Sequence, residues 1–277
     1  MRKRIITLSV IGIAILTVLI LLSVLVIRFL LNCEDEEFIK AFWTSVIIDT
    51  FLTLIPYVFG LIRTILVHLN EIREYEYSHK YKNIRIRLSF AYLIRIKINN
   101  RYLLVKSGHK REIFGPVGGV YHIEHIDYVY NKLGFVRDET PGDSEDVRGT
   151  ILGKNIRKFI KWFNKKENRE IEPNREFNEE LIVSSIVPAE LFSNNSFKFI
   201  KTSYRGIGYD SFYKKNELCR FDIFELVLNK EQESFFQTMK TNKLIKLVTR
   251  EDIETGGINK DNDKRIIGDQ TIFILED

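Results

Sequence analysis

Three glutamates, Glu176, Glu179 and Glu180, follow Arg175 at intervals that stack their carboxylates on one face of a helix. Three like charges side by side repel one another, so helix stability alone disfavours the arrangement. A divalent cation reverses the sign. Mg²⁺ takes oxygen ligands and commonly bridges protein carboxylates to phosphate oxygens. The chemistry such a cluster suggests is the gripping or cleaving of a pyrophosphate-like group. The competing reading is a solvated acidic helix face. Arg175 either orients the glutamates through charge-assisted contacts or balances helix charge.

Other residues could take part. Gly115, Gly118 and Gly119 form a glycine-rich turn whose N–H groups could face a phosphate, although a tight turn needs glycine in any case. Lys106, His109, Lys110 and Arg111 precede it and could neutralise phosphates, or could be ordinary surface charge. Tyr204, Arg205 and Tyr209 flank Gly206 and Gly208, where an aromatic ring could stack on a base with arginine beside it. His122, Glu124 and His125 make an incomplete ligand set and read as ordinary histidines. The two cysteines, Cys33 and Cys219, show no CxxC and no zinc spacing.

The elements that must position these residues follow from periodicity. Residues 85–98 are rich in β-branched and aromatic side chains, Asn99 and Asn100 are a turn pair, and 101–106 is the return strand. Residues 140–149 read as a loop. Ile156, Phe159, Ile160 and Phe163 make the apolar face of a helix over 155–166. Pro173 and Asn174 lead into the carboxylate helix, 175–184. Strands are expected at 197–204, weakly at 212–213, at 220–228 and at 244–248. Helices are expected at 230–239 and 250–254, and 271–275 is a last apolar stretch. Strands and helices mix without strict alternation, an α+β pattern.

The N-terminal region differs in composition. Residues 5–27 carry no charge, and a second apolar run covers 41–62, broken by Asp49, Pro56 and Gly60. Runs of this length predict two transmembrane helices, 5–31 and 41–62. The length of the first run and the lack of a small-residue cleavage site favour a retained anchor over a signal peptide. Basic residues flank the pair and Glu34, Asp35, Glu36 and Glu37 fill the loop, so the positive-inside rule places both termini in the cytoplasm. Asp49 would line a pore or fix helix packing, with Thr44 or Thr53 assisting. The expected organisation is 1–79 for the hairpin and a juxtamembrane helix with an apolar stripe at 61–77, then a cytoplasmic domain over 80–277. A net charge of +5 over 277 residues fits a surface facing anionic lipid or a phosphate ligand.

In that domain the hairpin from Tyr92 to Val105, the Gly118–Gly119 turn and the carboxylate helix resemble a Nudix domain. In that family a box of the form G-x5-E-x7-R-E-U-x-E-E-x-G-U, with U apolar, builds a loop–helix–loop whose glutamates hold Mg²⁺ against a pyrophosphate. Gly118 and Glu124 fit its opening, Arg175, Glu176, Phe177, Glu179 and Glu180 its helix, and Val183 its last apolar position. Two departures stand out. An insertion at about 125–174 replaces the short spacer, and Ile182 stands where the family has glycine. A glycine there can adopt a left-handed C-cap that isoleucine tolerates poorly, so the loop after the helix is expected to differ.

With two spans in front, the architecture resembles the SMODS-associated Nudix effectors of bacterial cyclic-oligonucleotide antiphage signalling (CBASS). The resemblance implies a Nudix-like α/β/α sandwich with an insertion in the box, behind a transmembrane hairpin in the inner membrane. It implies a homo-oligomeric effector that senses a cyclic oligonucleotide, not polymeric nucleic acid, and damages the membrane. The implied site comprises Gly118, Gly119, Lys106, Arg111 and Arg205 for the ligand and Glu176, Glu179 and Glu180 for Mg²⁺. The alternative is a membrane-anchored Mg²⁺-dependent hydrolase of a nucleoside diphosphate derivative, with Glu179 and Glu180 catalytic. A third reading is a scaffold that has lost both properties and recruits a partner.

Overall fold

The computed structural model describes residues 73–107, 113–124, 127–138, 146–259 and 264–275, with scattered positions before 73. The chain divides into two compact units, Met1–Glu71 and Ile72–Asp277.

In the first unit the described residues, among them Ser23, Ile48, Leu52, Ile55 and Ile62, are helical. Among the described residues no helix is long and apolar enough to cross a membrane. The expected transmembrane hairpin and the multi-pass inner-membrane placement are therefore not supported, and most of both runs lies outside the described residues. Hydropathy bounds what a helix could span, but crossing also needs an unbroken helix of about 20 residues.

The second unit mixes helices with sheets. Its central strand is β1 (Arg85–Arg95), buried along almost its whole length. Burial on both faces explains why its sequence is a near-continuous apolar run rather than an alternation. It turns through Asn99 and Asn100, with φ of 45° and 63°, from β2 (Lys97–Ile98) into β3 (Arg101–Lys106). Positive φ at both central residues is what a two-residue hairpin turn of this hand requires, and asparagine tolerates it.

The expected glycine-rich turn is instead a pair of short strands, β4 (Phe114–Gly115) and β5 (Val117–Val120). β4 pairs with β3 and β5 with β1, so the chain passes from one sheet to the other at Pro116. Ladder partners satisfy backbone groups that a free turn would leave to solvent.

β6 (Val136–Arg137) and β7 (Arg148–Leu152) extend the β1 sheet, so Gly149 is in a strand rather than a loop. Helix α1 (Ile156–Asn164) buries Ile156, Phe159, Ile160 and Phe163 as expected. Phe159 and Phe163 meet Phe90 edge-to-face at 5.5 and 4.9 Å, which seats the helix on β1.

After the short helix α2 (Asn174–Phe177) and a π-helical turn (Asn178–Val183) comes a long hairpin, β8 (Ser196–Asp210) and β9 (Lys215–Val227). Phe212 and Tyr213, expected as a weak strand, form its turn. β9 runs parallel to β1, giving the order β6-β7-β1-β9-β8 with β5 also on β1. On the other face of this sheet Phe221 stacks on Phe273 at 4.9 Å, within a 3-10 turn (Asp269–Ile274).

Helices α3 (Lys230–Thr238) and α4 (Arg250–Thr255) both begin with capping boxes, Asn229 with Gln232 and Thr249 with Asp252. Between them β10 (Ile245–Val248) joins β3 in the second sheet. A small pair, β11 (Ile258–Asn259) and β12 (Lys264–Arg265), follows.

Candidate functional site

Phe177 and Leu181, four residues apart, are both fully buried. Phe177 packs on Phe192 and Phe197 at 5.9 and 5.7 Å. Fixing that apolar stripe fixes the opposite one, which carries Glu176, Glu179 and Glu180 and looks toward β5. The π-helical turn starts at Asn178 and contains Glu179 and Glu180. Such widened turns are frequent at functional sites.

The sheet was shaped to receive these carboxylates. Gly118 has φ of +150°, and a Cβ there would lie 2.2 Å from the Tyr92 carbonyl oxygen. A Cβ on Gly119 would lie 1.8 Å from Glu176 Oε1. Gly118 therefore demands glycine, because the clash is with backbone, whereas a larger residue at 119 would push the Glu176 carboxylate aside. The Gly118 N–H donates to Glu180 Oε2 at 3.0 Å.

Arg175 gathers the rest. Its Nη1 donates to Glu176 Oε1 at 2.8 Å and lies 3.5 Å from Glu179 Oε2. Its Nη2 donates to the Val120 carbonyl at 2.9 Å and to Glu170 Oε2 at 3.4 Å. Sequence reasoning left Arg175 between two roles; in the structure it orients the glutamates.

Glu170 was missed in the sequence. Tyr92 donates its hydroxyl to Glu170 Oε1 at 3.1 Å, and the His122 N–H donates to Oε2 at 3.2 Å. Glu124, which fits the family pattern, is exposed instead. Residues 122–124 pair with 168–170, through one bridge, Ile123 with Arg169, and the bonds from the Glu124 N–H to the Asn168 carbonyl and from the Glu170 N–H to the His122 carbonyl, both at 3.0 Å. The insertion therefore begins and ends beside the site, and its closing segment supplies the carboxylate that the opening segment does not. The only signal in the sequence was that Glu170 lies five residues before Arg175.

Electrostatics follow from this crowding. Burial pushes the Glu180 carboxyl up to about 7, against the Gly118 N–H, which favours the ionised form, with Glu176 and Glu179 adding to the rise. Burial also raises Glu176, with Arg175 opposing and Glu179 and Glu170 adding. Glu179 is the open member, its side chain 57% exposed.

The remaining expected ligand residues go elsewhere. Lys106 ends β3 in the second sheet, opposite Phe114. Arg111 lies outside the described residues, as do His109, Lys110 and His125. Arg205 pairs with Glu217 and approaches Cys219 Sγ at 3.0 Å, within β8 and β9 rather than with the carboxylates. Tyr204 lies between the guanidinium groups of Arg73 and Arg220, 5.6 and 5.7 Å from its centroid. His122 Nε2 faces Asp146 Oδ1 at 3.3 Å.

Hard oxygen donors suit Mg²⁺ in kind. Their arrangement does not: among the described residues no group of three or more His, Cys, Asp or Glu is placed to hold a metal ion. Arg175 stands against Glu176 and Glu179, and the Gly118 N–H already uses one Glu180 oxygen. The positive charge that the carboxylates face is the guanidinium.

A mixed sheet whose glycine-bearing strand receives an Arg-Glu-x-x-Glu-Glu helix defines a Nudix-type domain. The SMODS-associated NUDIX domain family matches residues 85–275, and the chain belongs to it. Nudix domains commonly use divalent metals, and this family is linked to cyclic-oligonucleotide signalling in CBASS. No curated protein matches the chain.

Proposed function

We propose that the chain is a CBASS effector whose Nudix-like unit binds a cyclic oligonucleotide, with its phosphodiester groups at the mouth formed by Gly118, Gly119 and the helix of Arg175. The observation that carries this reading is the guanidinium set among Glu170, Glu176 and Glu179 beside the Gly118–Gly119 backbone, in a chain of this family. Both Arg175 nitrogens are engaged, one with Glu176 and Glu179 and the other with the Val120 carbonyl and Glu170, so a phosphate must displace a carboxylate to reach the guanidinium. Glu179 is the residue best placed to swing aside and expose it. Binding acts on the effector by favouring one of two states, which requires different affinities for them.

Titration of the full chain against a panel of cyclic di- and trinucleotides tests the reading. At least one member binds, and repeating the titration in Mg²⁺ and in excess EDTA reads whether the clustered carboxylates need a divalent cation before they accept its phosphates. Light scattering on the same samples reports whether occupancy changes self-association. Absence of binding by every member overturns the reading.

The raised proton affinity of Glu180 favours a second reading, a hydrolase with Glu180 as general base. It predicts a nucleotide product whose release is lost in E180Q. Release that also requires Mg²⁺ would replace the binding reading with the hydrolytic one.

A further inference from the structure

Phe199 interrupts the regularity of β8. The ladder with β9 shifts register between Phe199 and Lys201, and a bulge beside a site commonly re-aims a side chain. The ring is 51% exposed, although it sits on a strand whose partner is largely buried. It is held by an edge-to-face contact with Phe224, at 5.6 Å and 73°. Phe224 in turn meets Tyr92 at 6.5 Å and 89°. Tyr92 lies opposite Gly119 in the ladder and gives its hydroxyl to Glu170, the partner of Arg175. A continuous row of rings therefore runs from the carboxylate–guanidinium cluster to an open aromatic surface.

Two covers border that surface. Phe197, two residues before Phe199, lies under Phe177 of the carboxylate helix at 5.7 Å. Further along the same face, Phe90 lies under Phe159 and Phe163 of the insertion helix. Phe199 is the ring between these covers that the domain itself leaves open.

We propose that Phe199, braced by Phe224, is a nucleobase subsite, seating the base of a ligand whose phosphate is held three strands across the sheet at Arg175 and Gly118–Gly119. The inference rests on the phosphate-binding reading and adds the base. Nucleobases suit this surface because each presents a π-face, and stacking tolerates any sequence. An apolar side chain or lipid would gain from the same area but has no use for the charged cluster at the other end of the row. The rigid backing matters too, since a ring already fixed loses little freedom on stacking.

The test compares a probe carrying a base with one that lacks it. The intact chain is titrated with adenosine 5′-diphosphate and with inorganic pyrophosphate, as wild type, F199A and F199W. Phe199 is exposed, so F199A keeps the fold, which an unchanged melting temperature verifies. The nucleoside diphosphate binds wild type more tightly than pyrophosphate does. F199A removes roughly 5- to 100-fold of that advantage, the range that loss of one stacked base gives, and leaves pyrophosphate binding unchanged. F199W restores it. A 2-aminopurine analogue of the nucleotide is quenched on binding to wild type and not to F199A.

An equal affinity for the two probes, or an advantage that survives in F199A, overturns the subsite. Loss of pyrophosphate binding in F199A also overturns it, because Phe199 would then act through the cluster. If every cyclic nucleotide fails to bind while the Phe199-dependent advantage of the diphosphate stands, the cyclic ligand is wrong and the base subsite is right.

Discussion

Glu180 carries the sharpest conflict in the site: a half-buried carboxylate beside two others, with a single backbone donor to offset them. Its proton affinity rises from an ordinary 4.5 to about 7 in the folded chain. The folded state therefore keeps a proton that the unfolded state has lost, and the sign of the linkage follows. The stability this group contributes is fully present below the ordinary value and is lost as pH rises through about 7. Glutamine at 180 still accepts from the Gly118 N–H but has no charge to bury. Between about pH 5 and about pH 8 the melting temperature of wild type falls more steeply than that of E180Q. Equal slopes would show that Glu180 ionises in the fold without cost. Glu179 sits one residue away and its charge is one of those that raise Glu180, so E179Q flattens the slope in part and less than E180Q does.

The carboxylate helix shows what an element's sequence encodes and what it does not. Its charged face was legible from Glu176, Glu179 and Glu180, and Phe177 matched an apolar position of the box, while the buried stripe of Phe177 and Leu181 emerged with the structure. The hairpin through Asn99 and Asn100 and the stripe of helix α1 were legible for the same reason, since periodicity and turn chemistry are local. Partners distant in sequence were not. Nothing near Gly115 says that its strand belongs to one sheet and Val117 to another, and nothing near Glu170 names Arg175 rather than Glu124. The helix end is a case between these. Isoleucine at 182 was expected to disturb a left-handed cap; instead the helix runs on through a π-helical turn to Val183, and the left-handed residue is Ser185, with φ of 55°. Ile182 lies inside that π-helical turn and packs, half-buried, against the core. Restoring the family's glycine should therefore hurt: I182G costs about 1 kcal/mol through helix propensity, before any loss of packing. Glycine three residues later should help, since S185G relieves about 1 kcal/mol of left-handed strain. Denaturant midpoints decide both, and a stabilising I182G would mean the helix ends where the family pattern places it.

At the scale of the whole unit, the insertion and the long hairpin are held together by arginines between aromatic rings. Arg169 lies over Phe163 at 3.8 Å, Arg220 approaches Phe163 at 4.7 Å and Tyr204 at 5.7 Å, and Arg73 approaches Tyr204 at 5.6 Å. The stack joins the segment that supplies Glu170 to β9, β8 and the helical residues 73–80. Arg220 is its hub. Its side chain is only 9% exposed, its Nε donates to Asp222 Oδ1 at 3.0 Å, and its Nη1 reaches Asn164 at the end of α1. Asp222 also accepts from the Tyr121 hydroxyl at 2.9 Å and the Thr202 hydroxyl at 2.7 Å. R220M therefore strands a buried carboxylate with two neutral donors, at a cost of about 3–5 kcal/mol. D222N costs less, because Arg220 retains Asn164 and three ring faces, Phe90, Phe163 and Tyr204. The double variant R220M/D222N no longer buries an unpaired charge, so it should be more stable than R220M alone. Neighbours in one network are coupled by about 0.5–3 kcal/mol, and the cycle measured by urea unfolding reads that term directly. If the single costs simply add, Arg220 and Asp222 are independent, and the insertion is then held to the sheet by apolar packing on Phe90 rather than by the charged stack.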